Sequence, residues 1–343
     1  MKTIYSPLHA GHSGTMELVG GSIVPGFEMP SRAEYIRARA ESERLGPILP
    51  PAEHGMEAAA RVHARDYLDF LPTVWRLWTE SGREGSALPY TWPIRGLRAD
   101  VRPQTIDALL GFYSFDGGAP FVGGTWTAIK SSYDVALTAA ALVQGGERSA
   151  FALCRPPGHH AGDRFMGGYC YINNAAVAAQ WYRDQGAKRV SILDVDYHHG
   201  NGTQQIFYAR GDVQVLNLHG DPMTEYPFFL GHADETGEGE GAGVNVNYPM
   251  PLDTGWDRWS AALEDACRKL AAYRPEVVVV SLGVDTFEKD PISKFKLKTE
   301  DYPKIGQRIA ALGLPTLFVM EGGYAVEEIG VNAVNVLTGF EGD

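Results

Sequence analysis

The chain has 343 residues and a formal net charge of −12, with a pI near 5.3, long enough to bury a substantial core. The acidic balance argues against a nucleic-acid binder, whose footprint is a basic patch, and favours a cationic ligand. Three cysteines (Cys154, Cys170 and Cys267), unevenly spaced and without a CxxC, make neither a disulfide framework nor a thiolate metal site, and point to a reducing compartment.

The N-terminal MKTIYSPLHAGHSG lacks the apolar core of a secretory signal. The longest apolar run, VVVVSLGV at 277–284, falls short of the ~20 residues of a membrane span. The expectation is a soluble, cytoplasmic protein with no membrane partner. Residues 3–5 predict a short strand, and the glycine-rich segment to about Phe27 a loop. Ser31 is a candidate N-cap for a charged helix over 31–45, followed by the turn-like GPILPP. VHARDYLDFL (Val62–Leu71) has apolar residues at helical spacing, and helix-compatible sequence continues through Trp75 and Trp78. From about 81 to 124 the chain is rich in Gly, Pro and aromatics with weak periodicity. That is too long for an ordinary loop and predicts a functional insertion containing a short helix. The alanine-rich Ile129–Val143 predicts a helix.

From residue 150 the pattern becomes regular. Strands are predicted at 150–154, 190–195, 213–218, 277–282 and 315–320, and helices at 174–186, 256–273 and 301–312. This alternation predicts an α/β fold: a mostly parallel, multi-stranded sheet covered on both faces, in three αβα layers. No repeat, low-complexity tract or linker interrupts it, so the expectation is a single domain over 1–343. Each strand runs into chemically active residue types: AFALC leads to RPPGHH, VSIL to DVDYHHGNG, VQVLNL to HGDP, VVVVSLG to VDTFEKDP and LFVM to EGGY. Open α/β sheets bind ligands at the carboxyl ends of their strands.

On an extended chain Asp194, Asp196 and His198 share a face, and a carboxylate and an imidazole two residues apart suit two ligands of a Zn²⁺-like cation. Asp285 is the natural third, since a lone carboxylate leaving the most hydrophobic strand needs a partner; the alternative is a turn or N-cap aspartate. Three protein ligands with an open position is the catalytic arrangement for Zn²⁺, although this donor set also suits Fe²⁺ or Co²⁺. Asp194 suits binding a second, monovalent cation with strand-end carbonyls and also suits orienting an imidazole, two roles that are compatible. His159 and His160, in a turn set by Pro156, Pro157 and Gly158, suit proton transfer. Tyr324, after two glycines, is a candidate donor to a developing oxyanion. Together these parts suit amide hydrolysis. A covalent route has no support: no GxSxG occurs, and Cys154 and Cys170 have no activating context.

The motifs RPPGHHA, GGYCYINN, DVDYHHGNGTQ, SLGVD and EGGY, in this order, resemble the arginase/deacetylase superfamily on its histone-deacetylase side, and VHARDYL resembles that family's early helix. The resemblance implies the arginase/deacetylase fold, with Asp196, His198 and Asp285 as Zn²⁺ ligands and Tyr324 as the electrophilic tyrosine. It makes His160 the general base and acid, with His159 assisting electrostatically. Asp194 would back His159 and sit in a structural K⁺ site; Gly168 and Tyr169 would line an acyl tunnel opposite Tyr226. Two positions depart from the family pattern. Asn201 stands where many members have an aspartate, so the acid–base histidine should be less basic. Asn217 stands where a serine commonly contributes to the K⁺ site, and its amide oxygen would have to substitute.

Within the family, the short length, PFVGGTW, the 81–124 insertion and LHGDP resemble the bacterial acetylpolyamine amidohydrolases. In that group the insertion mediates a homodimer and narrows the active-site mouth. The implied substrates are N-acetylated polyamines of the acetylputrescine, acetylcadaverine and acetylspermidine type, hydrolysed to acetate and free amine. Glu17, Asp107 and Asp116 are candidates to attract the cationic end. The rivals are an acetyl-lysine deacetylase of peptides or proteins, a binuclear-manganese ureohydrolase, and a catalytically idle sensor or scaffold. The ureohydrolase needs two divalent sites where ligands for one are found, and a pure binder needs no complete set of His159, His160 and Tyr324.

Overall fold

The computed structural model describes residues 1–94 and 96–342. The strands are Lys2–Ile4 (β1), Met16–Val19 (β2), Ser22–Pro25 (β3), Ile48–Leu49 (β4), Ser149–Ala152 (β5), Val190–Asp194 (β6), Val213–Gly220 (β7), Asn245–Met250 (β8), Val277–Leu282 (β9) and Thr316–Met320 (β10). The helices are Ser31–Ser42 (α1), Arg65–Phe70 (α2), Val74–Glu80 (α3), Ile106–Phe112 (α4), Thr125–Gln144 (α5), Asn174–Asp184 (α6), Asn201–Phe207 (α7), Trp256–Tyr273 (α8), Tyr302–Ala310 (α9) and Val326–Glu341 (α10).

The apolar runs read as strands pair side by side, and every ladder in the large sheet is parallel, in the order β4-β1-β5-β10-β9-β6-β7-β8. A strand alternates its side chains between the two faces, and here both faces are covered. Ile192, Val215, Val279 and Val319 go to one core with α5 and α6. Leu193, Leu216, Val280 and Phe318 go to the other with α1, α8, α9 and α10. Each such side chain contributes about 1.5–3 kcal/mol by leaving water, and a one-residue slip of register would exchange the two sets. The three-layer α/β reading therefore holds, with a sheet that is wholly parallel.

Five elements differ from the sequence reading. The segment expected to be a loop before Phe27 contains the β2–β3 hairpin, whose Gly20 and Gly21 have φ of +56° and +84°, the two-residue turn that a tight hairpin requires. Its strands leave Leu18, Val19 and Ile23 exposed, so no buried alternation marks them. The GPILPP turn contains the two-residue edge strand β4, and prolines confine it to the edge. β8 carries asparagines in place of an apolar run. The short α7 and the long α10 also lay outside the reading. α10 crosses α9 closely because both carry glycine: a Cβ on Gly306 would lie 1.9 Å from the Val336 carbonyl oxygen, and one on Gly339 2.1 Å from that of Pro303. No helix among the described residues is long and apolar enough to cross a membrane.

Candidate active site

The carboxyl ends of β5, β6, β9 and β10 lie together at the centre of the sheet, because these four strands are consecutive in it. Past the end of β6, the Asp196 N–H bonds the Asp194 side chain at 3.1 Å and the His198 N–H that of Asp196 at 2.9 Å, so the chain turns inward. Asp285 comes after β9 and meets His198: its Oδ2 lies 2.9 Å from His198 Nδ1, and Asp196 Oδ1 lies 3.4 Å from the same nitrogen. The other carboxylate oxygens are held by backbone, Asp196 Oδ2 by the Gly322 N–H (2.8 Å) and Asp285 Oδ1 by the Tyr197 N–H (2.8 Å).

Asp196, His198 and Asp285 are thus a buried group with one ligand atom each within 4.8 Å of the others, able to hold a metal ion. The electrostatics fit a cation there. Burial and the Asp196 charge push the Asp285 carboxyl up to about 7. Burial would lower the His198 pKa, but hydrogen bonds to Asp196 and Asp285 reverse that and raise it to about 10. Two carboxylates drawing a proton onto a buried imidazole form a pocket of uncompensated negative charge, and a divalent cation answers it better than a proton.

Beside this group, His159 Nδ1 bonds Asp194 Oδ2 at 3.0 Å and His160 Nδ1 bonds Asn201 Oδ1 at 2.7 Å, with the two rings 4.0 Å apart between centroids. An amide oxygen can only accept, so His160 carries its proton on Nδ1 and presents a bare Nε2. Burial opposes charge on His159, but Asp196 and Asp194 overcome it and raise its pKa to about 10. His160 is driven well below the usual imidazole range, first by burial and then by the charges of His159 and His198. The Asn201 bond acts to raise the pKa, and burial with the two neighbouring charges outweighs it.

Asn217 stands opposite Asp194 in the β6–β7 register, and its Oδ1 is buried without a partner. A Cβ on Gly200 would lie 2.4 Å from Asp194 Oδ2 and 3.0 Å from Asn217 Oδ1. An orphaned amide oxygen near a buried carboxylate is a donor set that fits a monovalent cation. A further group, His159, Cys170 and Glu321, also clusters. Burial keeps the Cys170 thiol protonated, and Glu321 Oε2 accepts the N–H groups of Gly158 (2.6 Å) and His159 (3.1 Å). Its evident work is to tie the loop after β10 to the loop carrying both histidines.

Above these groups opens a cavity of about 750 Å³, lined by His160, His198, Tyr324, Gly168, Tyr169 and Tyr226, by the β2–β3 hairpin, and by Leu88, Pro89, Tyr90, Trp92 and Asp116 from the 81–124 segment. Two of the three acidic candidates line it. Glu17 Oε2 accepts the Tyr169 hydroxyl at 2.7 Å and its Oε1 the Phe27 N–H at 3.0 Å. Asp116 Oδ2 accepts the Tyr226 hydroxyl at 2.6 Å and its Oδ1 the Gly118 N–H at 2.8 Å, while burial pushes its carboxyl up. Asp107 corrects the reading: it does not line the cavity but bonds Arg83 at 2.7 Å in the first turn of α4.

Sequence reasoning missed Arg32, Glu28 and Arg155. Arg32 donates to the carbonyls of Gly323 and Glu321, both at 2.6 Å, and lies 4.6 Å over the Tyr324 ring. Glu28 accepts from Arg32 at 2.7 Å and from Arg155 at 2.8 Å. Arg155, inside RPPGHH, could have been found from its motif; Arg32, in a charged helix, looks like any solvated arginine.

The comparisons agree with this geometry. Residues 27–340 match the model of the histone deacetylase domain. The chain is 58% identical over 343 residues to acetylpolyamine amidohydrolase 1 of Pseudomonas aeruginosa, covering 100% of this chain and 99% of that protein. It is 50% identical over 342 residues to the acetylpolyamine amidohydrolase of Mycoplana ramosa, covering 100% of both. The crystal structure of acetylpolyamine aminohydrolase from Burkholderia pseudomallei superposes with a TM-score of 0.95 at 39% identity, over 100% of this chain and 99% of that one. The chain belongs to the histone deacetylase domain family and is a hydrolase of that family.

Proposed function

We propose that this protein hydrolyses the acetamide of N-acetylated polyamines of the acetylputrescine, acetylcadaverine and acetylspermidine type, giving acetate and the free amine. The observation that carries the substrate reading is a pair of carboxylates, Glu17 and Asp116, in the wall of a largely apolar cavity that also exposes His160, His198 and Tyr324. A cationic amine is the ligand that such carboxylates attract. The polyamine deacetylases among its relatives support the same reading.

Asp196, His198 and Asp285 hold the divalent cation, which we assign as Zn²⁺, with Fe²⁺ or Co²⁺ as alternatives. When bound, that cation supplies Lewis acidity to the acetamide carbonyl and acidity to a water. His160 takes the water's proton at Nε2 and delivers it to the leaving amine, a role open to it because burial keeps it neutral. His159, held by Asp194 at 3.0 Å, assists electrostatically beside the reacting group. Tyr324 donates its hydroxyl to the oxyanion. Asp194 and Asn217 hold a structural K⁺. Gly168, Tyr169 and Tyr226 enclose the acyl group.

We take the whole chain as one domain, in which the 81–124 insertion narrows the mouth. The insertion leaves Tyr90, Ile94, Leu97 and Val101 exposed, and we assign that apolar face to a homodimer, readable by light scattering. Three free, buried cysteines fit a cytoplasmic protein. The deciding experiment compares kcat/KM of the Zn²⁺-loaded enzyme for acetylputrescine or acetylcadaverine with that for a peptide containing an internal acetyl-lysine. Strong preference for the diamine is expected; preference for the peptide would make the protein a lysine deacetylase instead.

A further inference from the structure

The loop after β9 carries Asp285 of the metal-binding group and, five residues on, a second buried aspartate that the proposed chemistry leaves without a role. Asp290 is 7% exposed. Its Oδ1 accepts the Ile292 N–H at 3.0 Å, and its Oδ2 accepts the N–H groups of Tyr324 (2.7 Å) and Ala325 (3.3 Å). These last two belong to the backbone that bears the Tyr324 phenol and leads into α10, a helix with no side-chain cap of its own. The rest of the loop is fastened to the same frame. The Val284 N–H bonds the Gly322 carbonyl at 3.0 Å and the Asp290 N–H the Phe287 carbonyl at 3.0 Å, while the Ser293 hydroxyl bonds the Asp285 carbonyl.

We infer that Asp290 is a positioning residue for Tyr324: its carboxylate fixes the backbone from which the phenol reaches the reacting carbonyl. Because one loop carries both aspartates, the phenol is held in register with Asp285 and so with the metal-binding group. The chemistry of the residue is specific. Three N–H donors converge on it, and only a group that accepts at both oxygens satisfies all three. An asparagine at 290 satisfies one side and turns its NH₂ against the other; an alanine satisfies neither.

This inference rests on the role assigned to Tyr324 above, and the test separates the two. Asp290→Asn and Asp290→Ala are made in the unaltered enzyme and in the Tyr324→Phe background, with kcat and KM measured on acetylputrescine and bound metal determined for each. In the unaltered background kcat should fall about tenfold for Asn and about a hundredfold for Ala, with KM within about twofold, as expected when a reacting group is displaced by about an ångström. In the Tyr324→Phe background the same changes should cost less than about twofold, since the group they misplace is gone. Equal losses in both backgrounds would make Asp290 a general structural residue and overturn the inference, as would a rise in KM at constant kcat. If Tyr324→Phe itself leaves kcat intact, the assignment of Tyr324 has failed and Asp290 falls with it. Should the alanine variant not fold, the asparagine variant carries the comparison, and faster amide exchange at Tyr324 and Ala325 reports the lost anchor directly.

Discussion

Tyr324→Phe removes one oxygen and leaves the packing in place. The ring keeps its neighbour Tyr169, 5.5 Å away between centroids, and the Arg32 guanidinium over its face. Burial pushes the phenol well above its ordinary pKa of 10, so it holds its proton at any working pH and acts as a donor, not a base. The side chain lines the cavity, and its hydroxyl makes no hydrogen bond to protein among the described residues, so its removal orphans no buried polar group. Stability should change by less than about 0.5 kcal/mol, under about 2 °C in Tm for a chain of this size. Catalysis should change far more. A preorganised donor aimed at a developing oxyanion in a desolvated site contributes about 3–4 kcal/mol, or about 10²–10³ in kcat. An ordinary hydrogen bond contributes about 1 kcal/mol, and the two cases are therefore separable. The assay is steady-state deacetylation of acetylputrescine at saturating substrate, with thermal unfolding of the same preparations. A kcat within threefold of the parent would refute the oxyanion role, and so would a loss expressed only in KM, which marks binding shared by ground and transition states.

The geometry sets three further outcomes. Gly168 has φ of +50°, and a Cβ there would lie 2.4 Å from His160 Cδ2 and 2.7 Å from the Tyr226 hydroxyl; Gly168→Ala should lower kcat/KM at least about a hundredfold with unchanged far-UV circular dichroism, and more than a tenth of the activity surviving would sink the idea. Arg32→Met leaves buried Glu28 with Arg155 alone as its close ion pair and frees the Gly323 and Glu321 carbonyls, so urea unfolding should show a loss of about 3 kcal/mol; a loss under about 1 kcal/mol would mean the cluster does not hold the loop. His63 donates from Nδ1 to the Gly162 carbonyl and accepts the Asn173 N–H at Nε2, and burial lowers its pKa from 6.5 to about 4. Between those values the unfolded chain binds more proton than the folded one, so the stability from neutral His63 is complete above pH 6.5 and is lost as pH falls towards 4. That amounts to about 2 kcal/mol at pH 5, and His63→Gln should remove this much of the difference between unfolding at pH 7.5 and pH 5; an unchanged difference would assign the acid sensitivity to other groups.

The chemistry was legible because it sits where a sequence is easiest to read, immediately after apolar runs that can only be buried strands. Asp196, His198, Asp285, His159, His160 and Tyr324 each come after such a run, and adjacency in a parallel sheet brings them together without further information. Asp107 and Asp116 show the limit. Both lie in an insertion with weak periodicity, and nothing local says that one meets Arg83 while the other faces the cavity.

The frame around Tyr324 was harder to see for a physical reason. Glu28 and Arg155 are 127 residues apart, and Arg32 reaches carbonyls 289 and 291 residues away. A buried carboxylate between two guanidiniums is costly to desolvate and strongly destabilising to break, so its partners must arrive together from distant parts of the fold. The segment before residue 45 supplies Glu28 and Arg32, together with the His9 and His12 carbonyls that bind Arg155 at 2.7 Å each. That segment shows little strand–helix regularity, yet it clamps the loops after β5 and β10. The catalytic groups come from the regular half of the chain, whereas the anchors of Arg155, and the Arg32 side of the EGGY loop's support, come from the irregular half. A truncation before α2 would therefore remove the Arg32 side of Tyr324's support, leaving Asp290 as its anchor, while every proposed catalytic residue and metal ligand stays in the sequence.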